Sequence, residues 1–201
     1  MKKNVMKGKF TKKKIFSAVL ALALCVGTLT ACGSDVKVSA SGGEILANES
    51  GKIYYCDRDV TKADIPTEIN GVKTVSIGEN AFNQCEVLTE VTIPVGVKSI
   101  GKNAFHSCKS LKEITIPDGV DTIGELAFSS CSELISVTIP GTVKARDEEN
   151  NKYRLNANVF SECKNLKDVY YGGSETDWEN LFTGSNEDMA KVANVTIHYN
   201  S

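Results

Sequence analysis

The sequence has few of the residues from which catalytic and metal sites are built. It contains two histidines and one tryptophan in 201 residues, and its seven cysteines include no CxxC pair. The motifs GxSxG and HExxH, the phosphate-binding loop and the dinucleotide fingerprint are all missing. The adjacent carboxylates Glu148 and Glu149 stand in a charged stretch that offers no burial. We therefore expect neither an enzyme nor a bound cofactor or metal.

Acidic residues are missing from the first 31 positions, which hold seven lysines. An apolar run from Ile15 to Val26 follows the lysines. It is shorter than a membrane-spanning helix needs, so a membrane span is not the first interpretation. A basic segment before a short apolar run is typical of an export signal. The tetrapeptide Leu29–Cys32 (LTAC) resembles the bacterial lipobox, in which the cysteine is lipidated. We expect a lipoprotein signal peptide over 1–31 and lipidation of Cys32. The alternative is an ordinary cleaved signal with an incidental cysteine.

Basic residues are scarce in the rest of the chain. Without residues 1–31, Lys+Arg falls from 23 to 16 while Asp+Glu stays at 25, which leaves a net charge of about −9. A surface with this negative charge repels phosphate groups. It also lacks the clustered Lys and Arg that nucleic-acid binding needs. We therefore expect no nucleic-acid partner, and contact with the membrane through the lipid anchor only.

The chain is instead rich in repeats, because four near copies of one segment follow each other. Phenylalanine, cysteine and leucine recur every 23 residues in the first three copies. A fixed period of this length indicates a stack of identical supersecondary units. The copies are Glu79–Pro94 (ENAFNQCEVLTEVTIP), Lys102–Pro117 (KNAFHSCKSLKEITIP), Glu125–Pro140 (ELAFSSCSELISVTIP) and the degraded Ala157–Tyr171 (ANVFSECKNLKDVYY).

Each copy combines a strand with two turns. Leu88, Val91 and Ile93 alternate with polar residues as in a half-buried strand, and a proline ends the strand. A short extended piece that ends at Ile100, a glycine for the sharp turn, and a helical or 3₁₀ turn around Phe105 complete the unit. Stacking such units predicts a repeat solenoid, in which one parallel β stack carries short helical or 3₁₀ turns and terminal caps.

The repeated pattern IPxGVxxIGxxAFxxCxxLxxVT resembles the BspA-like class of leucine-rich repeats found in bacterial surface proteins. The resemblance covers about Ile65–Tyr171. Ile65–Val72 (IPTEINGV) is similar to the usual first coil, and Val169–Gly173 (VYYGG) followed by Asp177-Trp178 resembles the usual C-terminal cap. The resemblance implies a curved parallel solenoid of leucine-rich-repeat type, used for adhesion or protein binding and without a shared catalytic motif.

The segments around the repeats complete the predicted domain organisation. A small polar stretch reads as a flexible tether, and the first and last coils need caps over their apolar ends. We predict the tether over 32–43, an N-terminal cap over 44–64, four to five repeat coils over 65–171 and a C-terminal cap over 172–201.

Two details of the repeats and the cap can be predicted further. The fourth coil carries a polar insert at 146–154, which should stand off the stack as a loop or small hairpin. In the C-terminal cap, Thr176 and Glu179 have capping-box spacing for a short helix. Trp178 on that helix is expected to cover the last coil as a hydrophobic lid.

Four cysteines, Cys85, Cys108, Cys131 and Cys163, occupy equivalent positions in the copies. Residues of a ladder have parallel side chains, whereas tetrahedral zinc needs ligands that converge on one point. We expect small, buried, apolar and inert thiols. A disulfide between neighbouring coils would require these side chains to rotate towards each other. The state of Cys56 in the predicted cap stays an open question, because an unpaired thiol is unusual in an exported chain.

The remaining candidate site is the outward side of the strands. Rows of Thr and Glu are the usual solvated side of a sheet, but repeat proteins also use this continuous side for binding. The predicted strand positions are Glu90, Thr92, Glu113, Thr115, Ser136, Thr138, Asp168 and Tyr170, and the insert adds Arg146, Tyr153 and Arg154.

This predicted surface is small. Five strands about 4.8 Å apart, each exposing about 12 Å, give roughly 300 Å², whereas a standard interface buries roughly 800 Å² per partner. The face therefore needs the insert, or many anchored copies acting together. The leading hypothesis is a monomeric, lipid-anchored protein on the outward side of a bacterial membrane that binds an extracellular protein or glycan. The alternative is a structural or accessory envelope lipoprotein without a dedicated ligand.

Overall fold

Short strands stacked coil upon coil make up most of the computed structural model, which describes residues 36–143, 146–147, 152–153, 155, 157–181 and 195–200. The described part also contains a 3₁₀ helix at Ala157–Phe160 and the helix α1 at Glu175–Leu181. The strands are β1 (Val36–Ala40), β2 (Gly43–Ala47), β3 (Lys52–Cys56), β4 (Lys62–Asp64), β5 (Glu68–Ile69), β6 (Val72–Lys73), β7 (Ser76–Ile77), β8 (Glu90–Thr92), β9 (Ser99–Ile100), β10 (Glu113–Thr115), β11 (Thr122–Ile123), β12 (Ser136–Ile139), β13 (Arg146–Asp147), β14 (Lys152–Tyr153), β15 (Asp168–Tyr171) and β16 (Thr196–Tyr199).

The chain enters the stack through an antiparallel hairpin. β1 pairs with β2, and β2 pairs with β3 in turn. The predicted tether over 32–43 is therefore wrong from Val36 onward. Val36, Val38 and Ala40 alternate with exposed polar residues and pack, half-buried, against the core. This period of two is the signature of a strand, so the N-terminal cap includes the hairpin.

Two parallel ladders cross the coils, instead of the single sheet that the sequence predicted. In the first ladder, β3, β7, β9 and β11 lie side by side with Ile53, Ile77, Ile100 and Ile123 in register. Leu155 continues this row as a parallel bridge to Ile123, so the row resumes beyond the insert. The extended piece that ends at Ile100 was predicted, but strands of two residues, as in β7, β9 and β11, are too short for hydrophobic alternation to reveal that they pair.

The second ladder is formed by the longer strands of the repeats. β4 pairs with β8, and β10, β12, β15 and β16 form a parallel sheet. Val137 lies between Ile114 and Val169, and Ile197 extends the same buried row. Because β4 already forms a rung, the repeats begin before the predicted start of the repeat region at residue 65.

The core between the ladders consists of rows with one residue per coil. The Phe, Cys and Leu rows are buried. Rings of Phe82, Phe105, Phe128 and Phe160 stack with centroids 4.8, 5.3 and 5.7 Å apart and interplanar angles of 13°, 5° and 14°. These distances are close to the spacing of the strands, and stacked pairs add about 0.5–1.5 kcal/mol each beyond area burial. The repeat period thus places like residues in contact.

The predicted helical or 3₁₀ turn around each phenylalanine is a pair of tight turns in the first three copies. The amide of Ala104, for example, donates to the Gly101 carbonyl oxygen at 3.3 Å. A 3₁₀ helix forms only in the fourth copy, among the described residues. The first turn uses a left-handed backbone at Asn80 (φ 59°), Asn103 (φ 53°) and Leu126 (φ 56°). Asparagine accepts this conformation readily, whereas leucine does so at a cost.

A glycine row lets successive coils approach each other. A Cβ atom on Gly101 would lie 2.5 Å from the Glu79 backbone nitrogen, and one on Gly124 would lie 2.4 Å from the Lys102 nitrogen. Neither glycine has a positive φ. The requirement for glycine here is therefore the close approach of two backbones, and not the sharp turn that the sequence suggested.

The insert of the fourth coil contains a small hairpin, as predicted. β13 and β14 pair antiparallel, with Arg146 opposite Tyr153 and Asp147 opposite Lys152.

The helix α1 caps the last coil, as predicted. Trp178 and Leu181 are buried, and the Trp178 ring lies 5.2 Å from the Tyr171 ring. The predicted capping box is wrong by two residues. The Asp177 amide donates to Ser174 Oγ at 3.1 Å, and the Ser174 amide donates to the Asp177 carboxylate at 3.1 Å.

Candidate functional site

The predicted binding residues form two outward rows on the second ladder. We call these rows the Thr/Glu face. They follow from the register of the strands and from the 23-residue period that relates β8 to β10. The first row contains Lys62, Glu90, Glu113, Ser136, Asp168 and Thr196, and the second contains Asp64, Thr92, Thr115, Thr138, Tyr170 and His198.

The eight strand positions predicted from the sequence all point away from the core. Glu90, Thr92, Glu113, Thr115 and Tyr170 are exposed, and Ser136, Thr138 and Asp168 are half-buried. Sequence reasoning missed the residues that extend both rows, namely Lys62, Asp64, Thr196 and His198. Lys62 precedes Glu90 by 28 residues, so the 23-residue period does not reveal it. Thr196 and His198 belong to β16, whose alignment with β15 has no signal in the period.

A polar aromatic cluster occupies the C-terminal end of the face, and we call it the aromatic corner. The rings of Tyr170 and His198 stack with centroids 4.5 Å apart and an interplanar angle of 12°. His198 Nε2 lies 2.9 Å from Asp168 Oδ1. Tyr170 is exposed over 37% of its surface. Because β15 and β16 pair in register, the backbone places these three residues next to one another.

The aromatic corner has the composition of an interface centre. Tyrosine is enriched where proteins bind each other, because it combines apolar area with a hydrogen-bonding group. Its stacking on His198 restricts the ring before a partner arrives, which lowers the entropy lost on binding. The Asp168 carboxylate next to it offers an acceptor for a donor on the partner.

The Thr/Glu face is split between β8 and β10. β8 pairs with β4 and β10 pairs with β12, but β8 and β10 belong to different sheets of the described chain. The same coils stay joined elsewhere, for example by the Phe82 amide, which donates to the Ala104 carbonyl oxygen at 2.7 Å. A cleft of about 520 Å³ opens at the split, lined by both strands and by Pro117.

The charges of the two strands offer a physical reason for this split. Glu90 and Glu113 hold the same row position on neighbouring strands, and like charges at opposed positions destabilise a sheet. Lys62 Nζ contacts Glu90 Oε2 at 2.7 Å on the other side of β8. Both partners of that pair are exposed, so it contributes at most about 1 kcal/mol. The charges thus favour pairing of β8 with β4 over pairing with β10.

A second cleft of about 460 Å³ opens at the N-terminal end of the face. It lies where β1 meets β4 and β8, and Ser39, Lys62, Asp64 and Thr92 are among its lining residues. The N-terminal hairpin, which the sequence did not predict, therefore contributes to this end of the face.

The insert and the anchor are only partly within the described residues. Arg146 and Tyr153 are paired backbone positions of β13 and β14. Arg154, Cys32 and the predicted signal peptide over 1–31 lie outside the described residues. Within the described ranges, no helix has the length and apolar character that a membrane crossing requires.

The cysteine row is buried, as predicted, and its thiols are free in the structure, but it is not purely apolar. Cys108, Cys131 and Cys163 donate through Sγ to the carbonyl oxygens of Phe82, Phe105 and Phe128 at 3.2, 3.2 and 3.1 Å. A hydrogen bond with the Cys131 thiol, together with burial, raises the pKa of Cys163. Such a thiol stays protonated at neutral pH and is a poor nucleophile. No group of three or more His, Cys, Asp or Glu residues in the described chain is arranged to hold a metal ion.

The other histidine of the chain, His106, lies in the turn that follows Phe105. His106 is half-buried, and its equivalent Ser129 in the next coil is only 4% exposed. Successive coils stack directly on these turns, so the position is partly covered by its neighbours. His106 thus belongs to a turn, whereas His198 belongs to β16.

Residues 50–187 match the BspA type leucine rich repeat region in six copies. The chain belongs to the BspA-type leucine-rich repeat family. The match begins before residue 65, in agreement with β4 as the first rung of the second ladder. BspA-type proteins are bacterial surface proteins, and leucine-rich repeats generally serve as protein-interaction modules.

Solved structures of bacterial leucine-rich repeat proteins share this fold. A leucine-rich repeat protein from Bacteroides capillosus is 31% identical, covers 68% of this chain and 98% of its own, and has a TM-score of 0.51. The Treponema pallidum protein TpLRR is 23% identical over 75% of this chain and 74% of its own, with a TM-score of 0.52. A leucine rich cell surface protein from Faecalibacterium prausnitzii is 24% identical, and the match covers 70% of this chain but 41% of that protein, with a TM-score of 0.52. No curated protein matches the chain.

Proposed function

We propose that this BspA-type protein is a lipid-anchored interaction module on the outward side of a bacterial membrane, and that its Thr/Glu face binds an extracellular protein. The aromatic corner carries this proposal. It presents an exposed tyrosine, already stacked on His198 and next to the Asp168 carboxylate, on a sheet that holds them rigidly. Ordinary solvated Thr and Glu rows have no such cluster.

The size of the face decides how strong one contact can be. Six strands spaced about 4.8 Å apart, each exposing about 12 Å, present roughly 350 Å². A standard interface needs roughly 800 Å² per partner, so one face supports a weak contact unless the insert contributes. Many anchored copies on one membrane would raise the effective affinity by linking weak contacts.

The binding proposal is tested with a captured partner and a matched pair of tyrosine variants. The chain is used to pull partners from serum, matrix and envelope extracts, and the affinity of the captured protein is then measured. We expect Tyr170→Ala to weaken binding about tenfold or more, which corresponds to about 1.4 kcal/mol. Tyr55→Ala is the control, because Tyr55 is similarly exposed (45%) on β3, outside the Thr/Glu face.

Equal affinities of the two variants would reject the face as the binding site. The competing proposal, a structural envelope protein without a dedicated ligand, is favoured by the small area of the face. It predicts that no captured protein survives competition with excess soluble chain. Binding to a glycan array without any protein partner would make the ligand a carbohydrate instead of a protein.

The anchor proposal is tested separately. It is supported by the LTAC tetrapeptide at Leu29–Cys32 behind a basic and an apolar segment. In the producing bacterium, metabolic labelling with an alkyne fatty acid should label the wild-type protein and move it into the detergent phase. Cys32→Ala should abolish both. A wild-type protein that takes up no label would reject lipidation.

A further inference from the structure

The N-terminal end of the cysteine row differs from the rest of the row. Cys85 lies in the first of the four copies, so no earlier copy supplies a phenylalanine carbonyl as its acceptor. Its Sγ is 3.9 Å from the Cys56 carbonyl oxygen and 3.8 Å from the Asp57 carbonyl oxygen, distances well beyond the 3.2 Å of Cys108. The Cys85 thiol therefore lacks the close acceptor that the next thiol in the row has.

The Cys56 thiol points at the same place. Its Sγ is 3.4 Å from the Asp57 carbonyl oxygen, which is also the acceptor nearest to Cys85 Sγ. Two thiols thus converge on one oxygen atom, whereas Cys108 and Cys131 each donate to an oxygen of their own. Both converging thiols are buried and reduced, with exposures of 3% for Cys56 and 0% for Cys85.

The two cysteines belong to different parts of the fold. Cys56 ends β3, the strand through which the N-terminal hairpin joins the stack, and Cys85 follows Phe82 in the first coil. β3 pairs with β7 through Lys52 and Ile53, and β4 of the cap pairs with β8. A covalent bond between Cys56 and Cys85 would add a stronger connection to these backbone pairings between the cap and the repeats.

The surroundings divide the chemical roles between the two thiols. Hydrogen bonding with the Cys56 thiol lowers the pKa of Cys85, and the positive charge of Arg58 acts in the same direction. The same hydrogen bond and burial raise the pKa of Cys56. Cys85 is therefore the thiol that becomes a thiolate first, and the thiolate is the nucleophile in disulfide exchange.

We propose that Cys56 and Cys85 are oxidised to a disulfide that fastens the N-terminal cap to the first coil. The oxidant is a disulfide, either of a small thiol or of an oxidoreductase. The Cys85 thiolate attacks one sulfur of that disulfide, forms a mixed disulfide and releases the first thiolate. Cys56 then loses its proton and attacks the Cys85 sulfur, which forms the Cys56–Cys85 bond and releases the second thiolate. Two protein thiols are oxidised while one external disulfide is reduced to two thiols.

The exchange takes place during folding, once Cys56 and Cys85 are neighbours and before the core closes over them and excludes the oxidant. The bond closes a loop between positions 29 apart, which restricts the unfolded chain. For a loop and a chain of this length, we expect oxidation to raise the Tm by roughly 10 °C. An oxidising compartment outside the cytoplasm would supply the oxidant.

The test is a disulfide map of the full chain refolded with oxidised and reduced glutathione. Free thiols are alkylated under denaturing conditions, and the protein is digested with trypsin without reduction. Trypsin places these four cysteines in four different peptides. Cys56 lies in peptide 53–58, Cys85 in 74–98, Cys108 in 103–109 and Cys131 in 113–144. We expect one linked pair, 53–58 with 74–98, and alkylated Cys108 and Cys131.

Variants and a second measurement keep the test independent of any one substitution. Cys56→Ser should remove the linked peptides and the difference in Tm between oxidised and reduced protein, and Cys56→Ala replaces it if the serine variant does not fold. Cys108→Ser is the matched control and should keep both. An alkylated Cys56 and Cys85 in the refolded wild type would overturn the proposal. Linkage of 103–109 to 113–144 at equal yield would do so as well, because it would show unspecific oxidation of neighbouring coils.

Discussion

The glycine row makes a sharp prediction about how closely the coils pack. In Gly101→Ala, the added Cβ would lie 2.5 Å from the Glu79 nitrogen and 2.7 Å from the Gly78 carbonyl carbon. Both contacts are to backbone atoms, which have no rotamer through which to move away. The coils must therefore separate by roughly an ångström to reach ordinary contact distances.

The separation sets the magnitude of the effect. Overpacking of a tight site costs about 1–3 kcal/mol. Moving the coils apart also lengthens two inter-coil hydrogen bonds, from the Gly101 amide to the Ile77 oxygen (2.8 Å) and from the Asn80 amide to the Lys102 oxygen (3.0 Å). Each such bond contributes about 1 kcal/mol. We expect a loss of about 3–5 kcal/mol in the free energy of unfolding, or roughly 10 °C in Tm.

Urea denaturation followed by circular dichroism measures this loss, and Gly71→Ala is the control. Gly71 has no atom within 4 Å of its added Cβ, but its φ is +81°. The control should therefore lose only the cost of a left-handed alanine, about 1 kcal/mol. If Gly101→Ala were as stable as the wild type, or lost less than Gly71→Ala, the close packing of the coils would be refuted.

Three further predictions follow from the turns, the cysteine row and the insert. Leu126→Asn should stabilise the protein by roughly 0.5–1 kcal/mol in urea denaturation, because asparagine accepts the left-handed backbone better than leucine; a less stable variant would contradict this. Cys108→Ser should lower the free energy of unfolding by about 1 kcal/mol and Cys108→Ala by about 2 kcal/mol, because the serine hydroxyl can still donate to the Phe82 oxygen. The reverse order would show that the cysteine row acts only as an apolar row. Deleting 147–154 should leave the Tm nearly unchanged by calorimetry, because the hairpin adds no residue to the ladders, and should weaken binding to a captured partner; early melting would make the insert structural.

The repeat period predicted the core well, because stacked coils place equal residues in equal environments. Phe82 and Phe105, 23 residues apart, are in ring contact, and the outward positions Glu90 and Thr92 are exposed as predicted. Such features depend on the local alternation and on the period, both of which are visible in the sequence.

Features at the ends of the stack depend on pairing between segments that share no period. The strand of Val36–Ala40 was mistaken for a tether, since its small and polar residues gave it the composition of a linker. His198 joins Tyr170 only through the register of β15 and β16, which no repeat signals. The split between β8 and β10 arises from contacts between coils, so neither copy of the repeat reveals it alone.

Hydroxyl-radical footprinting with a captured partner tests the binding face most directly. Aromatic side chains are labelled according to their exposure, so Tyr170 on the face and Tyr55 outside it report in one experiment. If the Thr/Glu face binds, the partner should reduce labelling of Tyr170 and His198 several-fold and leave Tyr55 unchanged. Protection of Tyr55 with unchanged labelling of Tyr170 and His198 would contradict the assignment and move the binding site to another surface.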